Sequence, residues 1–319
     1  MTDSVSTTPS LPTRRIGDLR VSSIGLGCMP LSFPEMLPFR DRAIETIHAS
    51  LDAGVTLLDT ANIYSPSADE VGHNEALVGE ALRSWSGDQS SVLLTTKGGI
   101  THTAEDGWGR DASIAGLQRA AEASLAKLGV DRIALYQFHR HDSNMTYEAQ
   151  MKSLVALRDT KLVERIGLSN TTVTELRLGL EILGGPDDGG IVSVQNEYSP
   201  RLRADGDVLA LCTELGIAYL PWSPLGGSSQ ASEVGSRYAA FAEVGAELDV
   251  SPQQVALAWL LAMSPVMIPI PGSSRPETAR DSAAAATLQL STEQITRLNA
   301  TEPESTIQYE GELSRSPLR

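Results

Sequence analysis

The sequence is poor in cysteine and lacks long apolar runs. Its 319 residues include two cysteines, Cys28 and Cys212, which lie far apart and form no CxxC pair. Such sparse thiols argue against a disulfide framework, and they fit a reducing, cytoplasmic compartment. No window approaches the roughly 18 uninterrupted apolar residues that a membrane-spanning helix requires. We therefore expect a protein that needs neither disulfides nor a membrane.

Positive charge is also scarce. Lysine and arginine total 25 against 40 aspartates and glutamates, which gives a formal net charge of -15. Nucleic-acid binding requires a basic face, so this balance argues against a nucleic-acid partner. The apolar fraction of 41% is too high for a disordered chain. Residues 1–13 are rich in Ser, Thr and Pro without the apolar segment of a signal peptide, and we expect a disordered leader there.

Short apolar runs alternate with longer amphipathic segments along most of the chain. Most runs are nearly continuously apolar, which is typical of parallel strands covered on both faces. Strands that alternate with helices indicate βα units. The runs comprise residues 23–26, 56–59, 92–97, 133–139, 165–168, 191–195, 218–221 and 267–271.

The segments between the runs carry signals of helix starts. Asp111 is the expected N-cap of the third helix. Ser251 and Ser291 each precede a helix and have a glutamine three residues later, Gln254 and Gln294, which is the spacing of a capping box. These signals place helices after the corresponding strands.

Eight βα units within residues 14–300 predict one (β/α)8 barrel domain with an extra C-terminal helix. A doubly wound sheet is the main alternative. Residues 14–21 predict a β-hairpin that turns at Gly17-Asp18 and could close the bottom of the barrel. Residues 301–319 form a polar tail. We expect either that this tail covers the mouth of the pocket or that it is disordered.

Four polar residues follow apolar runs at the end where a barrel places its active site. Asp59 ends the second run and Tyr64 lies in the following loop, while Lys97 ends the third run and His139 the fourth. Tyrosine is a weak acid with a pKa of about 10. A neighbouring ammonium lowers the pKa of a phenol, and a carboxylate keeps that ammonium charged. The set suits protonation of a carbonyl oxygen while a hydride reaches its carbon.

Short motifs surround these residues in a fixed order. They lie at residues 58–64 (Leu-Asp-Thr-Ala-Asn-Ile-Tyr), 95–97, 135–139, 167–170 (Gly-Leu-Ser-Asn), 194–199, 221–227 (Pro-Trp-Ser-Pro-Leu-Gly-Gly) and 270–276 (Ile-Pro-Gly-Ser-Ser-Arg-Pro). The ordered set resembles the motifs of the aldo-keto reductase superfamily. The resemblance runs from about Arg14 to Ala300 and includes the hairpin.

The resemblance implies an oxidoreductase that reduces an aldehyde or ketone to an alcohol with NADPH. Tyr64 would be the general acid, Lys97 and Asp59 would tune it, and His139 would orient the carbonyl. Trp222 would stack on the nicotinamide. The cofactor-binding residues implied are Gly27, Met29, Ser169, Asn170, Gln195, Trp222, Ser223, Leu225, Gly226, Gly272, Ser273, Ser274, Arg275 and Asp281.

The last motif bears on the choice of cofactor. Backbone N–H groups of residues 272–274 precede a helix, where anions bind well. Arg275 could clamp a 2′-phosphate, which favours NADPH over NADH. Asp281 and Ser282 stand where the family often has Glu and Asn facing the adenine, so this contact differs from the family pattern.

The loops after the strands are expected to form the substrate pocket. Phe33 after the first strand and Trp108 in the loop between Lys97 and His139 are the candidate substrate-binding residues. The expected partner is a small carbonyl compound. Its identity and the oligomeric state stay open.

Three alternatives compete with this interpretation. His139 and His141 would share a face if both lay on one strand, as in metal-dependent barrel hydrolases, although no other histidine ends a strand. A Rossmann dehydrogenase is disfavoured because Gly25-Leu26-Gly27 lacks the third glycine of GxGxxG. A non-enzymatic sensor subunit with the same cofactor site would bind NADPH without consuming it.

Overall fold

A parallel sheet curls into a barrel at the centre of the computed structural model, which describes residues 10–227 and 230–304. Its strands follow the apolar runs of the sequence, and each pairs in parallel with the next. The barrel strands are β3 (Leu26–Gly27), β4 (Leu57–Asp59), β5 (Leu93–Gly98), β8 (Leu135–Phe138), β9 (Ile166–Ser169), β10 (Ile191–Gln195) and β11 (Ala218–Tyr219). The doubly wound alternative is therefore wrong.

The eighth position of the barrel is filled by residues 267–272, which form no regular strand. On one side, Ile268 N–H donates to Tyr219 O at 2.8 Å. On the other, Pro269 O and Pro271 O accept from Gly25 N–H at 2.9 Å and Gly27 N–H at 3.0 Å. Proline has no N–H, so Pro269 and Pro271 can accept hydrogen bonds from the β3 side but cannot donate any to it. Only half of the usual ladder of hydrogen bonds can form on that side. The segment closes the barrel, although not as the regular strand expected over 267–271.

An antiparallel hairpin covers the bottom of the barrel, as the sequence predicts. It consists of β1 (Thr13–Ile16) and β2 (Leu19–Ser22). Gly17 turns with φ +58°, and a Cβ on it would lie 2.8 Å from Val192 Cγ1 near the start of β10. Ile16 and Val21 are buried among the inward-facing residues of the barrel. The hairpin therefore forms the floor of the interior.

Helices surround the sheet, and two of the three helix starts expected from N-cap signals are confirmed. They are α1 (Arg40–Asp52), α2 (His73–Ser84), α3 (Ile114–Leu128), α4 (Tyr147–Asp159), α5 (Val173–Leu183), α6 (Gly206–Leu215), α7 (Val234–Arg237), α8 (Ala239–Leu248), α9 (Pro252–Met263), α10 (Pro276–Ala284) and α11 (Thr292–Asn299). Ser251 caps α9, and Ser291 with Gln294 forms the expected capping box of α11. The N-cap of α3 is Ser113 rather than Asp111, because Asp111 instead accepts from Ser113 N–H and Oγ–H.

One local structure differs from the sequence-based expectation of a loop. Residues 100–110 form a second hairpin of β6 (Ile100–Thr103) and β7 (Gly107–Arg110), which rises from the end of β5. Within the ranges that the structure describes, no helix has both the length and the apolar character to cross a bilayer.

The ends of the domain differ slightly from the expected boundaries. Leu11 packs against the core and Pro12 O accepts from Ser23 N–H at 2.8 Å, so the ordered chain starts before residue 14. Glu304 N–H donates to Arg201 O at 3.0 Å. The expectations for residues 1–9 and 305–319 lie outside the described residues.

Candidate active site

A buried ion pair lies at the centre of the predicted site. Lys97 Nζ at the end of β5 is 2.5 Å from Asp59 Oδ2 at the end of β4, and the two side chains are 0% and 3% exposed. Lys97 Nζ also donates to Thr60 O at 2.9 Å and contacts Tyr64 Oη at 3.3 Å. The three N–H groups of the ammonium thus have three oxygen partners. This geometry links three of the predicted catalytic residues.

The second carboxylate oxygen of Asp59 is held by neighbouring strands. Oδ1 accepts hydrogen bonds from Thr95 Oγ1, Gln137 Nε2 and Gln195 Nε2, each at 2.9 Å. Three donors on one carboxylate oxygen fix the orientation of the group. Asp59 therefore fixes Lys97 in position.

Tyr64 lies above the ammonium in the loop after β4. Lys97 Nζ is 4.9 Å from the centre of its ring. Burial raises the pKa of Tyr64 above its usual value, and the opposing attraction of Lys97 does not outweigh that burial. Lys97 does lower the pKa of Tyr64, as the sequence predicts, but burial raises it by more and the net shift is upward. The phenol stays protonated at neutral pH, which leaves it able to donate a proton.

His139 completes the set of four. Its ring lies edge-on to Tyr64, with centroids 5.8 Å apart and planes at 82°. Burial, with Lys97, Arg140 and Arg110 adding to it, holds the pKa of His139 well below its usual value. Nδ1 is buried with no hydrogen-bond partner among the described residues. The imidazole is therefore neutral, and it can donate only one hydrogen bond.

A chain of hydrogen bonds connects the ends of the next strands. Ser169 Oγ donates to Gln195 O at 2.7 Å and accepts from Asn170 Nδ2 at 2.9 Å. Asn170 Nδ2 also donates to His139 O at 3.0 Å, and its Oδ1 accepts from Trp222 Nε1 at 3.2 Å. These contacts bring four residues with predicted roles together and fix the half-buried indole of Trp222 beside them. Gln195 Nε2 is already bound to Asp59, so its predicted contact to a carboxamide stays a prediction.

The loop after β11 presents backbone rather than side chains. Ser223 has φ +48°, and Gly226 and Gly227 have φ +86° and +97°. Gly226 N–H donates to Ser223 O at 2.8 Å, and backbone of this kind is typical of concave anion sites. Leu225 buries its side chain in the main core. Only its backbone is left for the predicted cofactor contact.

The start of α10 has the form of an anion site. Arg275 is the N-cap residue with an extended backbone, and its side chain makes no capping hydrogen bond. Ser273 Oγ donates to Arg275 O at 3.0 Å, which fixes this turn, while Gly272 is exposed and Ser274 half-buried. The first N–H groups of α10 thus lack a side-chain cap, and Arg275 is exposed beside them.

Asp281 makes contacts that its predicted role does not include. Its Oδ2 accepts from Ser251 Oγ at 2.7 Å and its Oδ1 from Gln254 Nε2 at 2.6 Å. Asp281 therefore ties α10 to the N-terminus of α9. Both oxygens already have donors, so the geometry gives the predicted adenine contact no support.

The remaining predicted residues line the rim near β3 and β5. Gly27 pairs with Gly272, and Met29 and Phe33 are half-buried in the following segment. Trp108 lies in the β6–β7 hairpin and stacks on His102, with centroids 3.7 Å apart and planes at 4°. Trp108 and Tyr64 pack on one apolar cluster, Ala61, Ile63 and Ile100. The hairpin therefore stands next to the loop that carries Tyr64.

The sequence-based site lacks three charged residues: Arg110 and Arg140, which act on His139, and Glu197, which acts on Arg140. Arg140 follows His139 directly, Arg110 ends β7, and Glu197 follows β10. Burial lowers the pKa of Arg140 to about 10, and burial raises the pKa of Glu197 to about 7 against the attraction of Arg201. Arg140 and Glu197 each stand two residues after the end of a strand, which is the signal that could have identified them.

The two-histidine metal interpretation is not supported by the geometry. β8 ends at Phe138, so the two-residue spacing of a strand does not apply to His139 and His141. His141 is exposed and lies 3.8 Å from Glu175, whereas His139 is buried. Over residues 10–227 and 230–304, no three His, Cys, Asp or Glu side chains are placed to hold a metal ion.

Comparisons with known proteins agree with this architecture. The chain is 33% identical over 297 residues to pyridoxine 4-dehydrogenase of Escherichia coli, covering 90% of this chain and 97% of that protein. It is 31% identical over 290 residues to an uncharacterised oxidoreductase of Schizosaccharomyces pombe, covering 90% and 89%. A solved aldo-keto reductase from Klebsiella pneumoniae in complex with NADPH has a TM-score of 0.77 at 23% identity, covering 94% and 99%.

The fold, the order of the strand-end residues and these similarities are mutually consistent. A sequence profile described as the Aldo/keto reductase family matches residues 23–302. That match covers most of the described barrel, from the end of β2 to the residues after α11. The chain therefore belongs to the aldo/keto reductase family.

Proposed function

We propose that this protein is an NADPH-dependent reductase that converts an aldehyde or ketone to an alcohol. The observation that carries the proposal is the buried ammonium of Lys97, which lies 2.5 Å from Asp59 and 3.3 Å from the hydroxyl of Tyr64. This arrangement holds one neutral phenol where charge can develop and be stabilised.

Tyr64 acts as the general acid. Its phenol is protonated because burial raises its pKa, and it gives the proton to the carbonyl oxygen. As the proton leaves, negative charge grows on Oη beside Lys97, whose own pKa is raised by Asp59 and Tyr64 in spite of burial. Asp59 does not touch the substrate but keeps the ammonium fixed. The neutral imidazole of His139 orients the carbonyl oxygen toward the phenol.

Two features of the described residues fit the phosphate groups of a dinucleotide cofactor. The uncapped N-terminus of α10 beside exposed Arg275 suits the 2′-phosphate, and the left-handed residues Ser223, Gly226 and Gly227 suit the pyrophosphate. Trp222 and Asn170 would hold the nicotinamide, which supplies the hydride when NADPH is bound. Arg275 favours NADPH over NADH, since a guanidinium matches a phosphate.

The substrate class follows from the rim and from one relative. Trp108 offers aromatic surface near Tyr64, and half-buried Phe33 lies in the segment after β3, which suits a flat carbonyl compound. The relative named pyridoxine 4-dehydrogenase makes pyridoxal-like aldehydes reasonable candidates for the first assays.

Substitution of Tyr64 by Phe tests the proposal. General acid catalysis contributes about 10²–10⁴-fold, so Tyr64→Phe should lower kcat for aldehyde reduction by that amount. The Kd of NADPH should stay within about threefold of wild type, because no cofactor contact is removed. Tyr147→Phe is the matched control, since its hydroxyl lies 3.3 Å from Thr171 Oγ1 on the α4–α5 side of the fold.

Three results separate the candidate functions. Wild-type turnover in Tyr64→Phe would overturn the assigned mechanism. NADPH binding by the wild type without turnover of any aldehyde or ketone in a broad panel would support a sensor instead. Loss of turnover in Tyr64→Phe alone, with activity retained in Tyr147→Phe, supports the reductase.

A further inference from the structure

Two guanidinium groups stand beside the catalytic residues on the same side of the barrel. Arg140 directly follows His139, and Arg110 ends β7 of the second hairpin. Gly99 connects the two segments. Its carbonyl accepts from Asp111 N–H at 3.0 Å, and a Cβ on it would lie 3.5 Å from Arg140 O. The hairpin and the loop after β8 therefore hold both arginines at one edge of the site.

Neither arginine has a carboxylate partner within ion-pair distance in the described part of the chain. Arg110 Nη1 donates to the carbonyl of its neighbour Gly109 at 2.9 Å. Arg140 Nε is buried without a hydrogen-bond partner. Both side chains are half-buried rather than extended into solvent. A desolvated guanidinium without a partner is costly, and an anion would remove that cost.

The charges around the pair leave it with excess positive charge. Burial and mutual repulsion both lower the pKa of Arg140, and burial lowers that of Arg110. Asp142 attracts Arg110, but its Oδ1 already accepts from Asn144 N–H at 2.9 Å. Glu197 attracts Arg140 yet lies 3.5 Å from Arg201.

The position of the pair points to the substrate rather than to the cofactor. Most of the proposed cofactor contacts lie after β9, β10 and β11 and at the start of α10. Arg110 and Arg140 follow β5 and β8, which carry Lys97 and the segment leading to His139. Both arginines act electrostatically on His139, and Arg140 also acts on Tyr64. An anion bound between them would lie close to the carbonyl that Tyr64 protonates.

We propose that Arg110 and Arg140 bind an anionic group, a carboxylate or a phosphate, on the carbonyl substrate. This inference rests on the proposed reductase function and narrows its substrate class. The guanidinium pair orients the substrate by its charged end and leaves the carbonyl at Tyr64 and His139. Arg110 and Arg140 are substrate-binding residues and take no part in proton transfer.

Matched pairs of aldehydes test this inference. The carboxylate arm compares 4-formylbenzoate with its methyl ester, and the phosphate arm compares glyceraldehyde 3-phosphate with glyceraldehyde. We expect wild-type kcat/KM to favour the charged member of at least one pair by about tenfold or more, as charge-assisted pairing allows. The arm with the larger ratio identifies the anion.

Substitutions of the two arginines should abolish this preference. The double variant Arg110→Gln/Arg140→Gln should bring the charged-to-neutral ratio of kcat/KM close to one, mainly through KM. Arg140→Lys should retain part of the ratio because it keeps the charge but not the planar fork. Arg119→Gln is the control, since Arg119 is exposed on α3 and pairs with Asp111, and it should keep the full ratio.

The outcomes distinguish this inference from the proposed function. Turnover of the neutral aldehydes without any preference for the charged ones overturns the anion site and leaves the reductase intact. A preference that survives the double variant also overturns it. If no aldehyde consumes NADPH, the reductase proposal fails. Calorimetric titration of the protein with benzoate and with phosphate then decides whether the two arginines form an anion site. Binding that the double variant loses would support the anion site, and no binding would overturn it.

Discussion

The ammonium of Lys97 lies 2.5 Å from the carboxylate of Asp59, in a position where neither side chain is more than 3% exposed. Removing two charges from water costs several kcal/mol for each ion, and their attraction offsets this only when the remaining hydrogen bonds are satisfied. Here they are, because Thr60 O accepts from Lys97 and three donors hold Asp59. The pair therefore depends on both partners.

Removing one partner should destabilise the fold more than removing both. Lys97→Met leaves a buried carboxylate without its counter-charge and should lower the free energy of unfolding by about 3–5 kcal/mol. The double variant Lys97→Met/Asp59→Asn should lower it by less than Lys97→Met alone, because no unpaired charge is left buried. Urea unfolding followed by tryptophan fluorescence measures all three.

The exposed pair of Lys152 and Glu148 provides the matched control. Its atoms are also 2.5 Å apart, but the side chains are 65% and 58% exposed. Solvent screening should reduce its double-mutant coupling to below about 1 kcal/mol. Equal coupling energies in the two cycles would contradict the role that we assign to burial.

The approach of the proposed catalytic residues to one another was predictable because each lies at the end of a buried strand or in the loop after one. Asp59 and Lys97 end β4 and β5, and their approach follows from the parallel register, which pairs Asp59 with Thr95. The sign of the pKa shift of Tyr64 was not predictable. It depends on how completely the surrounding loops exclude water, and no local pattern encodes that.

Three further features of the structure were not predicted from the sequence, although two of them left signals in it. The β6–β7 hairpin turns at residues 104–106, followed by Gly107 with φ +67°, and Ile100, Thr101 and Thr103 are β-branched. The contacts of Asp281 could not be anticipated, because helical periodicity does not indicate which neighbouring helix cap a side chain will meet. The irregular eighth segment follows from Pro269 and Pro271, whose missing N–H groups were readable in the sequence.

Substitution of Arg275 should separate the two nicotinamide cofactors. Arg275→Ala removes the guanidinium at the start of α10, and we expect the Kd of NADPH to rise by about tenfold or more, with that of NADH rising less than about twofold. Fluorescence titration measures both constants. Arg297→Ala is the control, because Arg297 on α11 pairs with Glu247 on α8. An equal rise in the Kd of NADPH and of NADH would show that Arg275 does not bind the 2′-phosphate.

Truncation of Trp108 should weaken the binding of aromatic substrates. Trp108 packs with Tyr64 on the cluster of Ala61, Ile63 and Ile100, so Trp108→Ala removes aromatic surface beside the reacting group. We expect KM for benzaldehyde to rise by about three- to tenfold, with partial recovery in Trp108→Phe. Phe39→Ala, at a residue that is 49% exposed, should leave KM unchanged. An unchanged KM in Trp108→Ala would exclude Trp108 from the pocket.

Glu197 should make the stability of the fold depend on pH. Burial raises the pKa of its carboxyl from 4.5 to about 7, even though Arg201 opposes the shift. A folded-state pKa above the unfolded value contributes stability that is fully present below pH 4.5 and is lost as the pH rises through about 7. The shift corresponds to about 3 kcal/mol at most.

The variant Glu197→Gln isolates this contribution. The amide side chain of this variant cannot ionise. The difference in free energy of unfolding, variant minus wild type, should therefore increase by up to about 3 kcal/mol from pH 5 to pH 8. Denaturant unfolding at both pH values measures the difference. Glu148→Gln on the exposed face of α4 should show no such increase, because the hydrogen bond from Lys152 lowers the pKa of Glu148 instead of raising it. Parallel pH profiles for wild type and Glu197→Gln would mean that Arg201 fully compensates the burial of Glu197.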